Sequence, residues 1–64
     1  MPRRRGYPDF WYWDAKAQQL VFVEVKPAGE VPLRRDQEQF LCCARKMGAR
    51  TYRWDPDLGF QEVP

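Results

Sequence analysis

The chain has 64 residues and a formal net charge of +2, and it contains two cysteines and no histidine. A chain of this length forms at most one domain, which buries only roughly 60% of the surface that its unfolded state exposes. The sequence also lacks serine, so Ser-His-Asp and Cys-His nucleophilic catalysis are excluded. With neither histidine nor a second cysteine pair, Cys42 and Cys43 are poor candidates for a zinc site.

The two cysteines and the hydropathy pattern indicate the compartment. Cys42 and Cys43 are adjacent, so their side chains diverge on a helix and a disulfide between them is implausible. We therefore expect reduced thiols and a cytoplasmic, reducing environment. No apolar run approaches the roughly 18 to 20 residues of a membrane span, and the start MPRRRGYPDF lacks the apolar core of a signal peptide. We expect neither a membrane association nor an organic cofactor.

The first half of the chain predicts a β-hairpin. A basic N-terminal arm, residues 1–5, is followed by a turn at Gly6 and Pro8 and by an aromatic strand, DFWYW, at residues 9–13. The stretch DAKAQQ then leads to the apolar strand LVFVEVK at residues 20–26. Antiparallel pairing of the two strands is the economical topology, because it needs only a short connection.

The second half predicts a helix followed by a strand. After the loop PAGEVP, apolar residues recur at helical spacing over residues 34–47, and Gly48 is suited to the position just past the helix end. These positions are Leu33, Phe40, Leu41, Ala44 and Met47. Residues 49–54, ARTYRW, read as a strand parallel to strand 20–26, because strand-helix-strand connections favour a right-handed crossover. Residues 55–64 read as a turn-rich tail in which Phe60 packs back onto the core. The predicted fold is a single α/β domain, residues 1–64, with the order ββαβ.

A charged pair interrupts the apolar strand VFVEVK. Glu24 and Lys26 are two residues apart and so share one face of the strand, and the hairpin brings Asp9 beside them. Two carboxylates suit Mg²⁺, and a neighbouring lysine can orient a water or neutralise charge on a phosphate. The alternative is a structural Glu-Lys ion pair on an exposed face, with Asp9 as a turn residue. Because buried charge is costly unless it is paired or bound to metal, the apolar setting favours a functional site.

Gln37 and the grouped arginines add to this set. Gln37 lies on the apolar stripe of the predicted helix, where an amide can reach the surroundings of Lys26. Its alternatives are a partial helix cap or a side chain that points to water. The arginines fall in groups that suit a polyanion, although such groups also occur as solvated surface. The candidates for nucleic-acid binding are Arg3, Arg4, Arg5, Arg34 and Arg35.

Together these motifs resemble the VRR-NUC family of the PD-(D/E)xK nuclease superfamily. The resemblance rests on GYPDF, on the fifteen residues from Asp9 to Glu24, on EVK, on Gln37 in RRDQEQFL and on MGARTYRW after the helix. It runs from about residue 6 to residue 54. It implies a minimal restriction-endonuclease-like core that lacks the family's usual N-terminal helix, its acidic residue and its first strand.

The resemblance implies a divalent-metal-dependent DNA nuclease acting on structured DNA such as flaps or branched junctions. By position, Asp9, Glu24 and the Val25 carbonyl would bind Mg²⁺ or Mn²⁺, Lys26 would position the water, and Gln37 would support the site. Stand-alone members of the family are typically homodimers. Without the N-terminal helix, one sheet face would leave aromatic side chains partly uncovered, which also favours dimerisation. These residues are Phe10, Trp11, Tyr12 and Trp13.

Other functions stay open at this point. The chain could be a non-catalytic nucleic-acid-binding module in which Trp11, Trp13 or Trp54 stacks on bases, although core filling is the simpler role for the tryptophans, above all for Trp54. It could also be a truncated nuclease fragment, or a small interaction protein with an aromatic partner surface. The combination of Asp9, Glu24, Lys26 and Gln37 favours the nuclease, because binding alone has no use for that set.

Overall fold

The computed structural model describes residues 6–64, which form four strands and one helix. In chain order the elements are β1 (Phe10–Asp14), β2 (Gln19–Val25), α1 (Arg35–Lys46), β3 (Arg50–Asp55) and β4 (Gly59–Glu62). The first four agree with the predicted elements in type, and their ends agree to within one residue. The chain is thus a small mixed α/β domain. The predicted basic arm lies outside the described residues.

The sheet has the order β1-β2-β3-β4. Strands β1 and β2 pair antiparallel, with Trp11 opposite Phe22, which confirms the predicted hairpin. Strands β2 and β3 pair parallel, with Val23 opposite Tyr52, which confirms the predicted crossover through α1. Both edges of the sheet, β1 and β4, are antiparallel to their neighbours.

The prediction of a turn-rich tail without a strand is wrong for its second half. Residues 59–62 form β4, which pairs antiparallel with β3 and sets Phe60 opposite Trp54. The hairpin forms because the fully buried Asp55 carboxylate accepts the N–H groups of Asp57 and Leu58 at 2.9 and 2.8 Å and so fixes the turn. Phe60 itself is 66% exposed, so the expectation that it packs onto the core is also wrong. It packs edge-to-face on Tyr52 at the sheet surface instead.

Helix α1 covers one face of the sheet, as predicted. Leu41 is 1% exposed, and Phe40 meets Phe22 edge-to-face with ring centroids 5.3 Å apart. Met47 departs from the predicted apolar stripe: it is the residue that caps the helix C-terminus and lies 89% exposed. Gly48 follows with a φ of +100°, which ends the helix where the sequence predicts.

The other face of the sheet carries no helix. Alternation along the strands directs Val21, Val23 and Val25 away from α1, since Phe22 contacts Phe40. Val21 and Val23 are buried, whereas all four aromatic residues of β1 are more than half exposed, so the prediction that they are partly uncovered is confirmed. The expectation that they share one face is wrong, because alternation along β1 divides them between the two faces of the sheet. We call the face without a helix the open face; it comprises Phe10, Tyr12, Val23, Val25, Trp54 and Phe60, and Trp11 of the edge strand β1 borders it.

The length of α1 and the exposure of its cysteines bear on the expectations about membrane spans and disulfides. The helix has 12 residues, and no helix within residues 6–64 is long and apolar enough to cross a bilayer. Cys42 and Cys43 lie on its exposed side as free thiols, in agreement with the prediction that they form no disulfide.

Candidate metal centre

Glu24, Lys26 and Gln37 meet between the end of β2 and the first turn of α1. Lys26 Nζ donates a hydrogen bond to Gln37 Oε1 at 2.9 Å, and Gln37 Nε2 donates to Glu24 Oε2 at 2.7 Å. Lys26 Nζ also lies 3.6 Å from Glu24 Oε2, within ion-pair distance. The three residues are only 4%, 8% and 5% exposed. An ion pair on an exposed face, one of the alternatives from the sequence, is therefore wrong: the pair is buried and an amide links its two charges.

Gln37 serves the helix as well as the charged pair. Its Oε1 also accepts the backbone N–H of Arg34, the residue that precedes the helix, at 2.9 Å. The partial cap and the inward-pointing amide are thus both present, whereas a side chain that points to water is wrong. One amide fixes the start of α1 against the end of β2.

Asp9 reaches the same place through the hairpin. Phe10 pairs with Val23, so the preceding residue, Asp9, stands beside Glu24 at the start of β1. Its Oδ2 accepts the backbone N–H of Val25 at 2.9 Å. The structure thus brings together the four side chains that the sequence singled out, and the backbone of Val25 lies between them.

Gly6 holds the approach to Asp9 close to the helix. Its φ is +74°, and a Cβ built at this position would lie 2.7 Å from the carbonyl oxygen of Asp36 in the first turn of α1. A side chain is therefore excluded by both the backbone conformation and the contact. The glycine of GYPDF allows the segment before β1 to run against the helix start, three residues before Asp9.

The surroundings of Glu24 oppose the ionisation of its carboxyl group. Its Oε1 is buried and has no hydrogen-bond partner within residues 6–64. Burial raises the pKa of Glu24 above its ordinary value, and the Asp9 carboxylate raises it further, while Lys26 acts in the opposite direction. A buried oxygen without a partner, next to a second carboxylate, is a ligand set that a divalent cation would satisfy.

Few protein side chains are available as metal ligands at this place. No group of three or more His, Cys, Asp or Glu side chains at metal-binding spacing occurs in residues 6–64. A cation here would be held by Asp9 and Glu24, with water, backbone or substrate oxygens completing its shell. Mg²⁺ is typically bound in that way, through one or two carboxylates plus water and phosphate oxygens.

The arginines stand apart from this cluster. Arg34 and Arg35 are exposed at the start of α1, where Arg34 Nε lies 3.2 Å from Asp36 Oδ1 in a surface ion pair. The side chains of Arg3, Arg4 and Arg5 lie outside the described residues.

A second buried network, which was not predicted from the sequence, lies beside the site. Arg53 Nη2 donates to the carbonyls of Ala28 and Gly29, both at 2.9 Å, and Arg53 Nε lies 3.4 Å from Asp55 Oδ2. The N–H of Gly29 donates to Asp57 Oδ2 at 2.8 Å. These bonds tie the loop after Lys26 to the β3–β4 turn. The only sequence signal was the alternation of arginine and aspartate in RTYRWD, which places Arg53 and Asp55 on the face that α1 covers.

Comparison of the chain with models of known protein families, with curated proteins and with solved structures finds no significant match.

Proposed function

We propose that the protein is a divalent-metal-dependent nuclease that hydrolyses phosphodiester bonds in structured DNA, such as flaps or branched junctions. The observation that carries the proposal is Glu24 Oε1, a buried carboxylate oxygen without a partner that lies beside Asp9 and two residues from Lys26. Gln37 and Lys26 both approach the other carboxylate oxygen, Oε2. This arrangement leaves one oxygen for another ligand.

Each side chain has a role that its surroundings support. Asp9 and Glu24, together with the Val25 carbonyl, would hold the cation. Bound Mg²⁺ or Mn²⁺ supplies positive charge to polarise the phosphodiester and its attacking water. Lys26, fixed by Gln37 Oε1 at 2.9 Å, holds its ammonium group where it can orient the water or offset charge on the phosphate. Gln37 is a positioning residue, because it acts through Lys26 and Glu24.

The fold supports the same proposal. A mixed sheet whose antiparallel hairpin is followed by a helix and a parallel strand is the arrangement that the resemblance to the PD-(D/E)xK superfamily implies. The site lies where Asp9, the end of β2 and the start of α1 meet. We assign phosphate contacts to Arg34 and Arg35, which are exposed at that end of the helix, and to Arg3, Arg4 and Arg5.

The test is cleavage of labelled branched, flap and duplex DNA by the 64-residue chain with Mg²⁺ or Mn²⁺. We expect metal-dependent cleavage that Asp9→Asn and Lys26→Ala abolish. Asp9→Asn keeps an acceptor for the Val25 N–H, so its loss would reflect the missing charge rather than a missing hydrogen bond. Lys16→Ala, at an exposed lysine in the β1–β2 turn, is the matched control and should cleave normally. DNA binding without cleavage by a folded, metal-loaded wild-type chain would favour the binding module instead.

We also propose that the open face is covered by a second copy of the chain. Phe10, Tyr12 and Phe60 are 61%, 51% and 66% exposed. Since an aromatic side chain offers about 150–250 Å² of surface, these three alone present on the order of 300–450 Å² of apolar area. That approaches the largest apolar patch of a typical monomer and about half of what one partner buries in a standard interface. Val25 and Trp54 extend the same surface.

A further inference from the structure

Two tryptophans on β1 are uncovered on the side of the sheet that carries α1. Trp11 stands opposite Phe22 and Trp13 opposite Leu20, and Phe22 contacts the helix, so alternation places the Cβ atoms of both tryptophans on the helix side. Trp13 lines the helix side, whereas Trp11, on the edge strand, also borders the open face. Trp11 and Trp13 are nevertheless 69% and 58% exposed. Helix α1 packs on β3 and, through Phe40 and Gln37, on β2, and an open gap separates it from Trp13 on β1. Core filling, the simpler role considered from the sequence, is therefore wrong for this pair.

An apolar trench runs between this strand and the helix. It has a volume of about 480 Å³ and is open to solvent along one side. Its floor and its helix wall are formed by Trp13, Leu20, Phe22, Phe40, Cys43 and Met47. Trp11 lies next along β1, between Trp13 and the start of the strand, where Asp9 stands. The tryptophan row thus leads from the trench to the carboxylates of the candidate metal centre.

The outer rim of the trench is basic. The helix stripe next to the wall residues comprises positions 35, 39, 42 and 46, all exposed, with Arg35 at one end and Lys46 at the other. Their spacing of eleven residues corresponds to about 16.5 Å along the helix. No carboxylate lies in this stripe, and within residues 6–64 neither Arg35 nor Lys46 forms an ion pair. The carboxylate on the neighbouring wall stripe, Asp36, is paired with Arg34 at 3.2 Å. Arg35 and Lys46 are free to meet phosphates.

We propose that Trp11 and Trp13 form a stacking platform for an unpaired segment of the DNA substrate, with its backbone along the Arg35–Lys46 rim. Exposed aromatic rings beside a basic groove are the chemistry by which proteins hold single strands. Bases inside a duplex are stacked on one another and offer no free face, so an intact duplex cannot use the platform in this way. Two residues along a strand span about 6.6–6.8 Å, which separates the two rings enough for each to receive its own base.

The direction of the bound strand rests on the proposed function. A strand seated on the platform reaches Asp9 at the start of β1, so the scissile bond would lie at the edge of the unpaired segment. The platform would thus hold the single-stranded arm of the DNA substrate beside the nuclease site. Binding to the platform itself requires no metal and can be measured without it.

The test measures the affinity for a fluorescent oligothymidylate of about 12 nucleotides, within the site sizes of stacking domains, and for a duplex of equal length, in EDTA. We compare wild type with a double variant, Trp11→Leu with Trp13→Leu, and with a second double variant, Trp11→Phe with Trp13→Phe. Leucine keeps the apolar character and removes the ring, whereas phenylalanine keeps a ring. Leu58→Ala, at a 62% exposed leucine in the β3–β4 turn, is the control for loss of exposed apolar surface.

We expect the leucine variant to lose about 5- to 150-fold in single-strand affinity for each stacked base, while the phenylalanine variant and Leu58→Ala stay close to wild type. Duplex affinity should change little in all three. Equal single-strand affinity of the leucine and phenylalanine variants would overturn the proposed stacking platform. A leucine variant whose sedimentation changes while its DNA affinity stays at the wild-type value would overturn it as well. Neither result bears on metal-dependent cleavage by the wild type. Conversely, a wild type that binds the single strand but cleaves no DNA would refute the proposed nuclease activity and leave the stacking platform standing.

Discussion

Gln37 Nε2 donates to Oε2 of Glu24 at 2.7 Å, while the other carboxylate oxygen, Oε1, is buried without a partner. The amide thereby fixes the orientation of the carboxylate and leaves one oxygen for a further ligand. Lys26 is held through the same amide, so the helix start sets the geometry of both charged groups on β2. Removing the amide should affect the fold and the site together.

Gln37→Met tests this arrangement through stability. Methionine has a similar volume but leaves Lys26 Nζ and the N–H of Arg34 without their acceptor. We expect the free energy of unfolding in urea to fall by about 2–4 kcal/mol, since each buried polar group left unpaired costs about 1–3 kcal/mol. Gln39→Met, two residues along and exposed, should change it by less than about 0.5 kcal/mol. Equal effects of the two substitutions would contradict a bridging role for Gln37.

Gly6 is expected to tolerate alanine less well than Gly48. Both have positive φ, +74° and +100°, so both pay the backbone cost of a side chain, about 1–3 kcal/mol. At Gly6 the added Cβ would also lie 2.7 Å from the Asp36 carbonyl oxygen, whereas at Gly48 it meets nothing within 4 Å. Thermal unfolding should show a larger loss for Gly6→Ala than for Gly48→Ala. Identical losses would mean that the close approach to α1 does not constrain the segment before Asp9.

The free energy of unfolding should depend on pH through the ionisation of Asp55. Hydrogen bonds from the N–H groups of Leu58 and Asp57, opposed by burial and aided by Arg53, hold the pKa of Asp55 below its ordinary value of 3.8. The Asp55 carboxyl group therefore binds a proton less readily in the folded state than in the unfolded state. The stability that the ionised Asp55 contributes to the fold is fully present above pH 3.8 and is lost as the pH falls through the lowered pKa. Asp55→Asn should be less stable than wild type at neutral pH, and the difference should shrink in denaturation curves below pH 3.8. A difference that stays constant down to pH 2 would argue against a charged Asp55.

We expect the protein to self-associate through the open face. Wild type should sediment as a dimer or larger species at micromolar concentration, because a monomer would leave Phe10, Tyr12 and Phe60 in water. Phe60→Asp should shift the protein toward the monomer, since a carboxylate in an apolar interface is costly to desolvate. Leu58→Ala, exposed in the turn before Phe60, should sediment as wild type does. A well-folded wild-type monomer would rule out this interface.

Much of the fold could be read from the sequence because local patterns and tertiary contacts agree. Val21, Phe22 and Val23 alternate on a strand, the helix carries its apolar stripe at Phe40 and Leu41, and Gly48 ends it. The site followed because Glu24 and Lys26 share a face and the hairpin had to bring Asp9 beside them. These inferences need only strand and helix periodicity.

The remaining features depend on contacts that no local pattern specifies. Strand β4 is four residues long, and the turn before it is held by the carboxylate of Asp55, the last residue of β3. The exposure of Met47 follows from where α1 ends over the sheet, and the exposure of Trp11 and Trp13 from how little of β1 the helix covers. The double role of Gln37, as a cap and as a bridge, required the actual position of Lys26 relative to the helix start.

The most direct test of the proposed metal centre is a calorimetric titration of Mn²⁺ into wild type and into Glu24→Gln. Glutamine preserves the acceptor for Gln37 but removes the charge, and thermal unfolding can verify that the variant is folded. We predict one site in wild type and a loss of at least about tenfold in affinity in Glu24→Gln, because a hard cation needs the charged oxygen donor. Glu30→Gln, at an exposed glutamate in the loop after β2, should titrate as wild type does. Equal Mn²⁺ affinity in wild type and Glu24→Gln would contradict the assignment of this cluster as a metal-dependent nuclease site.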